Sequence, residues 1–289
     1  MPSRQPPSSA AGAADTSPQG GGNAESNNLL DSTTDLPRHE VERLLGKATG
    51  RTRTDLLLGV LVDGEHAEAF EALLAQRRAG EPLQYLEEQI PFGPIEVSVN
   101  PSVLIPRPET EQLFELATHR VADPMVIVDL CTGSGNLALA LKHTFPDAVV
   151  YATDVSADAA TVAEQNARDA GLDVTILEGD LFGPLPDHLQ GRVDLIVANP
   201  PYLAEDELAG LPTDVRDHEP TVALVAGPNG DEVLAAIAVE APLWLAPGGT
   251  IVCEISEFHG EVIAGLFWAL GGSIEKDLAG KDRFVVGNG

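Results

Sequence analysis

Beyond Pro124 the chain alternates short β-branched apolar runs with amphipathic stretches, and that alternation leaves few folds open to it. Period-two and continuous apolar patterns predict strands at 125–130, 149–154, 174–180, 193–198, 249–255 and 283–287. Helices are expected between them, at about 137–145, 157–170, 231–245 and 258–270. Strands that alternate with helices bury both faces of a largely parallel sheet, so the expectation is an α/β, Rossmann-like fold with ligands at the carboxyl ends of the strands.

The first third of the chain reads differently. Residues 1–34 are rich in Pro, Ser, Gly, Ala and Asn with almost no aliphatic pattern, and are expected to be a disordered tail. Residues 35–88 turn helical, through Val41, Leu44, Leu45, Leu56, Leu61, Ala69, Phe70, Leu73 and Leu74 with Gly46, Gly50, Gly64 and Gly80 as breaks, and are expected to form a small helical domain that recognises substrate. Residues 89–106 contain the alternation Ile-Glu-Val-Ser-Val and are expected to be a linking hairpin, leaving 107–289 for the α/β domain.

Composition removes several function classes. Seventeen basic residues stand against 45 acidic ones, a net charge of −28, and this opposes binding to a polyanion, which gains affinity from a basic face. No apolar run reaches membrane-spanning length and no secretory signal pattern opens the chain, so no membrane association and a cytoplasmic location are expected. Cys131 and Cys253 lie far apart in apolar strand contexts and the seven histidines are scattered, so neither a disulfide framework nor a metal is expected.

Each of the first four strands of this domain ends in a residue suited to binding. The first runs into Asp129-Leu130-Cys131-Thr132-Gly133-Ser134-Gly135-Asn136, whose glycines let the backbone approach a ligand before a helix begins. The second ends at Asp154, where a carboxylate suits the two hydroxyls of a ribose, and the third at Asp180-Leu181, where Asp180 suits an adenine amino group. A nicotinamide cofactor uses a similar turn, but its third glycine is missing here, and S-adenosylmethionine, with ribose and adenine but no pyrophosphate, fits better. The fourth strand runs into Asn199-Pro200-Pro201-Tyr202. The Asn199 side-chain oxygen and the Pro200 carbonyl can each accept one hydrogen of a planar NH2 group, with Tyr202 packed on it, and aim its nitrogen at an electrophile.

At this point the chain resembles the HemK/PrmC family of protein-glutamine methyltransferases over roughly residues 36–286. The resemblance rests on Arg78-Ala-Gly80-Glu81-Pro82-Leu83-Gln84-Tyr85, on Leu104-Ile105-Pro106-Arg107-Pro108-Glu109-Thr110-Glu111, and on the blocks at Asp129–Gly135, Asp154 and Asn199–Tyr202. Asp214-Val-Arg216-Asp-His-Glu219-Pro220 and Asp277-Leu-Ala-Gly280-Lys-Asp282-Arg283 extend it. The chain departs from the family at Cys131, where glycine is common, at Leu181, and around Ser256 and Glu87. The resemblance implies a class I methyltransferase sheet and transfer of methyl from S-adenosylmethionine to the glutamine of the Gly-Gly-Gln tripeptide in a peptide-chain release factor, a protein partner. It implies cofactor binding by Cys131, Thr132, Gly133, Ser134, Gly135, Asp154, Asp180, Leu181 and Asn199, substrate binding by Asn199, Pro200, Pro201 and Tyr202, and catalytic roles for Asn199, Pro200 and Tyr202. Read physically, Pro106–Glu111 is a helix start, with Pro in the first turn and acids favoured by the dipole. The rival readings are a paralogue acting on a small molecule or another protein, a nucleic-acid amine methyltransferase, and a non-catalytic cofactor-binding module.

Overall fold

The computed structural model describes residues 24–289, and the chain divides into two compact units, Met1–Ala75 and Gln76–Gly289. The expected tail falls for the most part outside the described residues. Its last part does not behave as expected: β1 (Ala24–Glu25) pairs antiparallel with β2 (Leu61–Val62), and α1 (Ser26–Ser32) buries Leu30. The Ser26 hydroxyl donates to the Leu56 carbonyl at 2.7 Å. One buried leucine gave the sequence too little periodicity to reveal this element. The unit is completed by α2 (Arg38–Thr49), α3 (Arg53–Leu57) and α4 (Gly64–Arg78). Val41, Leu44, Leu45, Leu56, Phe70 and Leu74 are buried, each contributing about 1.5–3 kcal/mol of burial.

The larger unit begins with α5 (Leu83–Glu87) and the hairpin β3 (Gln89–Phe92) and β4 (Ile95–Ser98), paired antiparallel. By its contacts this helix groups with the larger unit. Its Tyr85 hydroxyl donates to the Val103 carbonyl at 2.7 Å, and Tyr85 shares a core with Ile90, Val97, Val99, Val103 and Ile105.

After α6 (Pro108–Arg120) come β5 (Val126–Leu130), α7 (Asn136–Thr144), β6 (Val149–Asp154), α8 (Ala157–Ala170), β7 (Val174–Glu178) and β8 (Val193–Ala198). Two short strands, β9 (Leu203–Ala204) and β10 (Val225–Gly227), pair beside α9 (Thr213–Arg216), before α10 (Glu232–Trp244), β11 (Leu245–Glu254), α11 (Gly260–Leu266), β12 (Ser273–Lys276) and β13 (Asp282–Asn288). The main sheet has seven strands in the order β12-β13-β11-β8-β5-β6-β7; β11 through β7 run parallel and β13 is antiparallel to both neighbours. This is the expected α/β architecture, with β12 unforeseen because Ser-Ile-Glu-Lys carries a single aliphatic residue.

Side-chain alternation explains why the strands read as apolar runs. Val128, Leu130, Ile196, Ala198, Ile251 and Val285 point to one face, into a core with α10 and α11. Ile127, Leu195, Val197, Val252 and Val286 point to the other, into a core with α6 and α7. Both faces are covered, as parallel sheets require. The strand order reverses between β5 and β8, and a crevice opens there at their carboxyl ends.

Candidate active site

The turn from β5 into α7 shapes one wall of that crevice. Cys131, Gly133 and Gly135 all have left-handed φ, of 57°, 56° and 81°. A side chain at Gly133 would meet nothing within 4 Å, so this glycine supplies conformation and leaves the crevice open. Gly135 differs: a Cβ there would stand 3.2 Å from the Cβ of Ala163 on α8. Its lack of a side chain lets the helix approach, a packing demand on the glycine at this end of the turn.

Two carboxylates, one buried and one half-buried, hold the turn. The α7 N-cap is a glycine and offers no side chain, so Asp129 supplies the acceptor: its Oδ2 takes the Ala138 N–H at 3.1 Å and the Thr132 hydroxyl at 2.5 Å. Asp129 is fully buried, and burial pushes its carboxyl up to about 7 against those two hydrogen bonds. Asp154, last residue of β6, accepts the Gly133 N–H at 2.8 Å through Oδ2 and the Ser156 N–H at 2.9 Å through Oδ1. Burial raises its carboxyl and the two N–H groups oppose the rise. Asn166 of α8 ties the turn to the hairpin, accepting the Ser98 N–H at 2.8 Å and donating to the carbonyls of Ser98 and Ser134 at 3.0 and 2.8 Å.

The crevice is a cavity of about 280 Å³, and most of the expected cofactor residues line it: Cys131, Thr132, Gly133, Ser134, Asp154, Asp180, Leu181 and Asn199. Cys131 and Leu181, both with left-handed φ, are non-glycine residues held in a conformation that costs of order 1–2 kcal/mol. Thr153 also lines it, and its buried Oγ1 has no partner among the described residues.

A second cavity of about 260 Å³ adjoins, lined by Leu104, Arg107, Pro200, Tyr202, Leu211, Val215 and Leu224 among others. Asn199, Leu104 and Ala223 line both cavities. The Asn-Pro-Pro-Tyr turn is thereby divided: Pro201 faces the first cavity, Pro200 and Tyr202 the second, and Asn199 stands where they meet. Arg107 lines the second cavity with its guanidinium 2.5 Å from Glu219 Oε1, which joins the Pro106–Glu111 block to the Glu219-Pro220 loop.

Two residues at this junction had no assigned role in the sequence reading. Asn199 Nδ2 donates to Thr110 Oγ1 at 2.9 Å, Thr110 Oγ1 donates to Glu254 Oε2 at 2.9 Å, and the Tyr202 hydroxyl donates to Glu254 Oε1 at 3.3 Å. Burial pushes the Glu254 carboxyl up to about 7, opposed by Thr110, Arg283 and Tyr202, and burial likewise raises the Tyr202 phenol. Thr110 lay in a block read as a family signature and a helix start, with no role given to the threonine. Glu254 is the last residue of β11, so the carboxylate-at-a-strand-end signal that singled out Asp154 applied to it as well.

Residues 25–86 match the PrmC N-terminal domain and residues 112–211 the methyltransferase small domain. A methyltransferase from Pyrococcus furiosus has a similar fold, with a TM-score of 0.50 and 21% identity over 66% of this chain and 87% of that one. The release factor glutamine methyltransferase of Moorella thermoacetica is 41% identical over 86% of this chain and 89% of its own length. That of Mycolicibacterium smegmatis is also 41% identical, over 86% and 90%, and that of Geobacter sulfurreducens 36%, over 90% and 92%. Such identity, sustained through both the helical unit and the sheet that carries the twin cavities, places the chain in the release factor glutamine methyltransferase family.

Proposed function

We propose that this chain transfers a methyl group from S-adenosylmethionine to the side-chain amide nitrogen of the glutamine in the Gly-Gly-Gln tripeptide of a peptide-chain release factor. The observation that carries the reading is the position of Asn199 in the walls of both cavities, with its NH2 group engaged by Thr110 and its carbonyl oxygen left as an acceptor.

The lining of the first cavity suits the chemistry of the cofactor. Asp154 keeps lone pairs beyond its two backbone contacts for ribose hydroxyls, the Cys131–Ser134 turn is open at Gly133 for the methionine end, and Asp180 and Leu181 suit the adenine. S-adenosylmethionine supplies an electrophilic methyl group on a positively charged sulfur. Everything else is asked of the chain. An amide nitrogen is a weak nucleophile, and no side chain at neutral pH can deprotonate it first, so orientation is what the site contributes. Asn199 Oδ1 and the Pro200 carbonyl accept the two amide hydrogens and direct the nitrogen toward the first cavity. As the nitrogen gains its new bond its hydrogens become more acidic, and these two acceptors strengthen at that moment. The surplus proton then passes to water or to a neighbouring carbonyl. Tyr202, tethered to Glu254, forms part of the wall of the second cavity.

Labelled methyl groups test this directly. Incubated with labelled cofactor, the protein is expected to label a release factor, to leave unlabelled the same factor with its tripeptide glutamine changed to alanine, and to leave bulk RNA and DNA unlabelled. Asn199→Ala should lower turnover by roughly 10²–10³-fold with little change in cofactor affinity. Label on nucleic acid, label persisting on the glutamine-free factor, or full turnover in Asn199→Ala would overturn the reading.

A further inference from the structure

An asparagine amide has two nearly isosteric orientations, related by a flip that exchanges oxygen and nitrogen, and only one of them presents an acceptor. Asn199 as an acceptor therefore depends on whatever forbids the flip. The hydrogen-bond chain behind it does so by counting hydrogens. Glu254, when ionised, only accepts. Thr110 has a single hydroxyl hydrogen, and with an ionised Glu254 Oε2 at 2.9 Å that hydrogen goes to the carboxylate; a neutral Glu254 keeps the same pattern when its proton sits on Oε1, toward the Tyr202 oxygen. The Thr110 oxygen is then left to accept, and the group facing it at 2.9 Å has to be the NH2 of Asn199. A flipped Asn199 would set its oxygen against the lone pairs of Thr110. Water does not relax the constraint, since Thr110 is 2% exposed and Glu254 1% exposed.

We propose that Thr110 and Glu254 are positioning residues, which lock the Asn199 side chain in the one amide orientation that offers Oδ1 to the substrate NH2. The lock also reaches the other side of the second cavity, because Glu254 Oε1 holds the Tyr202 hydroxyl. The inference rests on the reading of Asn199 as the substrate acceptor, and it gives the Pro106–Glu111 block a role beyond starting a helix: α6 carries Thr110 into contact with the end of β8.

Two readouts on the full chain separate the lock from the activity. In protein labelled with 15N-asparagine, the Asn199 side-chain NH2 signals, assigned by their loss in Asn199→Ala, are expected to shift in Thr110→Val and to stay near the parent positions in Thr110→Ser. With a release factor as substrate, Thr110→Val should lose about 10²-fold in kcat, the scale of a misaligned reacting group, and Thr110→Ser should recover most of it. Glu254→Gln gives a second route should Thr110→Val fail to fold. A glutamine can donate to Thr110 and turn its hydrogen toward Asn199, so the Asn199 signals should shift or split and kcat should fall. Unmoved Asn199 signals in the folded variants would overturn the lock whether or not any methyl transfer is seen. Moved signals with parental kcat would overturn its role in positioning. A parent that labels no release factor would instead overturn the proposed function, and the spectra would still decide the lock.

Discussion

At the scale of single residues, the two glycines of the β5–α7 turn show how one residue type answers two demands. Both need a left-handed φ, so alanine at either position costs about 1–2 kcal/mol. Gly135→Ala also drives a methyl group against Ala163 and should lower the melting temperature more. Gly133→Ala places its methyl in open cavity space and should weaken S-adenosylmethionine binding more than it lowers the melting temperature. Thermal melts and calorimetric titration of the two variants check the pair, and equal effects on both readouts would refute the division of labour. Asp154→Ala should abolish most cofactor affinity. From sequence that residue looked like a ligand contact only, whereas its oxygens also hold the N–H groups of Gly133 and Ser156, so the variant should lose stability as well, by about 1–3 kcal/mol for the unmatched donors. Calorimetric titration that finds parental affinity would remove Asp154 from the site.

At the scale of elements, α1 is the place where composition misled. The Asn- and Ser-rich stretch before Leu36 suggested chain without a packed face, but Leu30 is buried and the Ser26 hydroxyl reaches the Leu56 carbonyl. A truncation that begins the chain at Thr33 should therefore destabilise the N-terminal unit by about 3–5 kcal/mol, from one fully buried leucine and one buried hydrogen bond. A truncation that keeps residues 24–32 should not carry that loss. Denaturant unfolding followed on both would decide it, and identical midpoints would show that α1 adds nothing. The strand ends behaved as their position suggests. Side chains at the carboxyl ends of β6 and β8 line the crevice because the sheet reverses its order there, and this follows from topology before any residue is considered.

At the scale of the whole molecule, the chain combines a net charge of −28 with buried carboxyls whose charging is unfavourable in the fold. Burial raises the Glu254 carboxyl and outweighs Thr110, Arg283 of β13 and Tyr202, which lower it, while Glu109 of α6 adds to the rise. Its folded pKa, about 7, lies above the ordinary value of 4.5, so between these values the folded state binds more protons than the unfolded chain. The stability it contributes is present in full below 4.5, falls as pH rises and is exhausted above about 7; Asp129 behaves in the same sense. Glu254→Gln removes one such term. The melting temperature of the parent relative to this variant should therefore fall from about pH 5 to about pH 8, and a pH-independent difference would refute the argument. Among the described residues no helix is long and apolar enough to cross a membrane.

Local patterns were enough for the sheet, its parallel core and the residues at Cys131–Ser134, Asp154, Asp180 and Asn199 that line the crevice. A strand buried on both faces, and a ligand-facing turn at its end, each leave a signature within a few neighbouring residues. Tertiary structure alone decided what those residues do together. It split the Asn-Pro-Pro-Tyr turn between two cavities and set Gly135 against Ala163 of α8. It also brought Thr110 to Glu254 across 144 positions and Arg107 to Glu219 across 112. Hydrogen bonds over such separations exist only once the sheet has closed its crevice, and which way the Asn199 amide points is settled by atoms that no pattern around Asn199 contains.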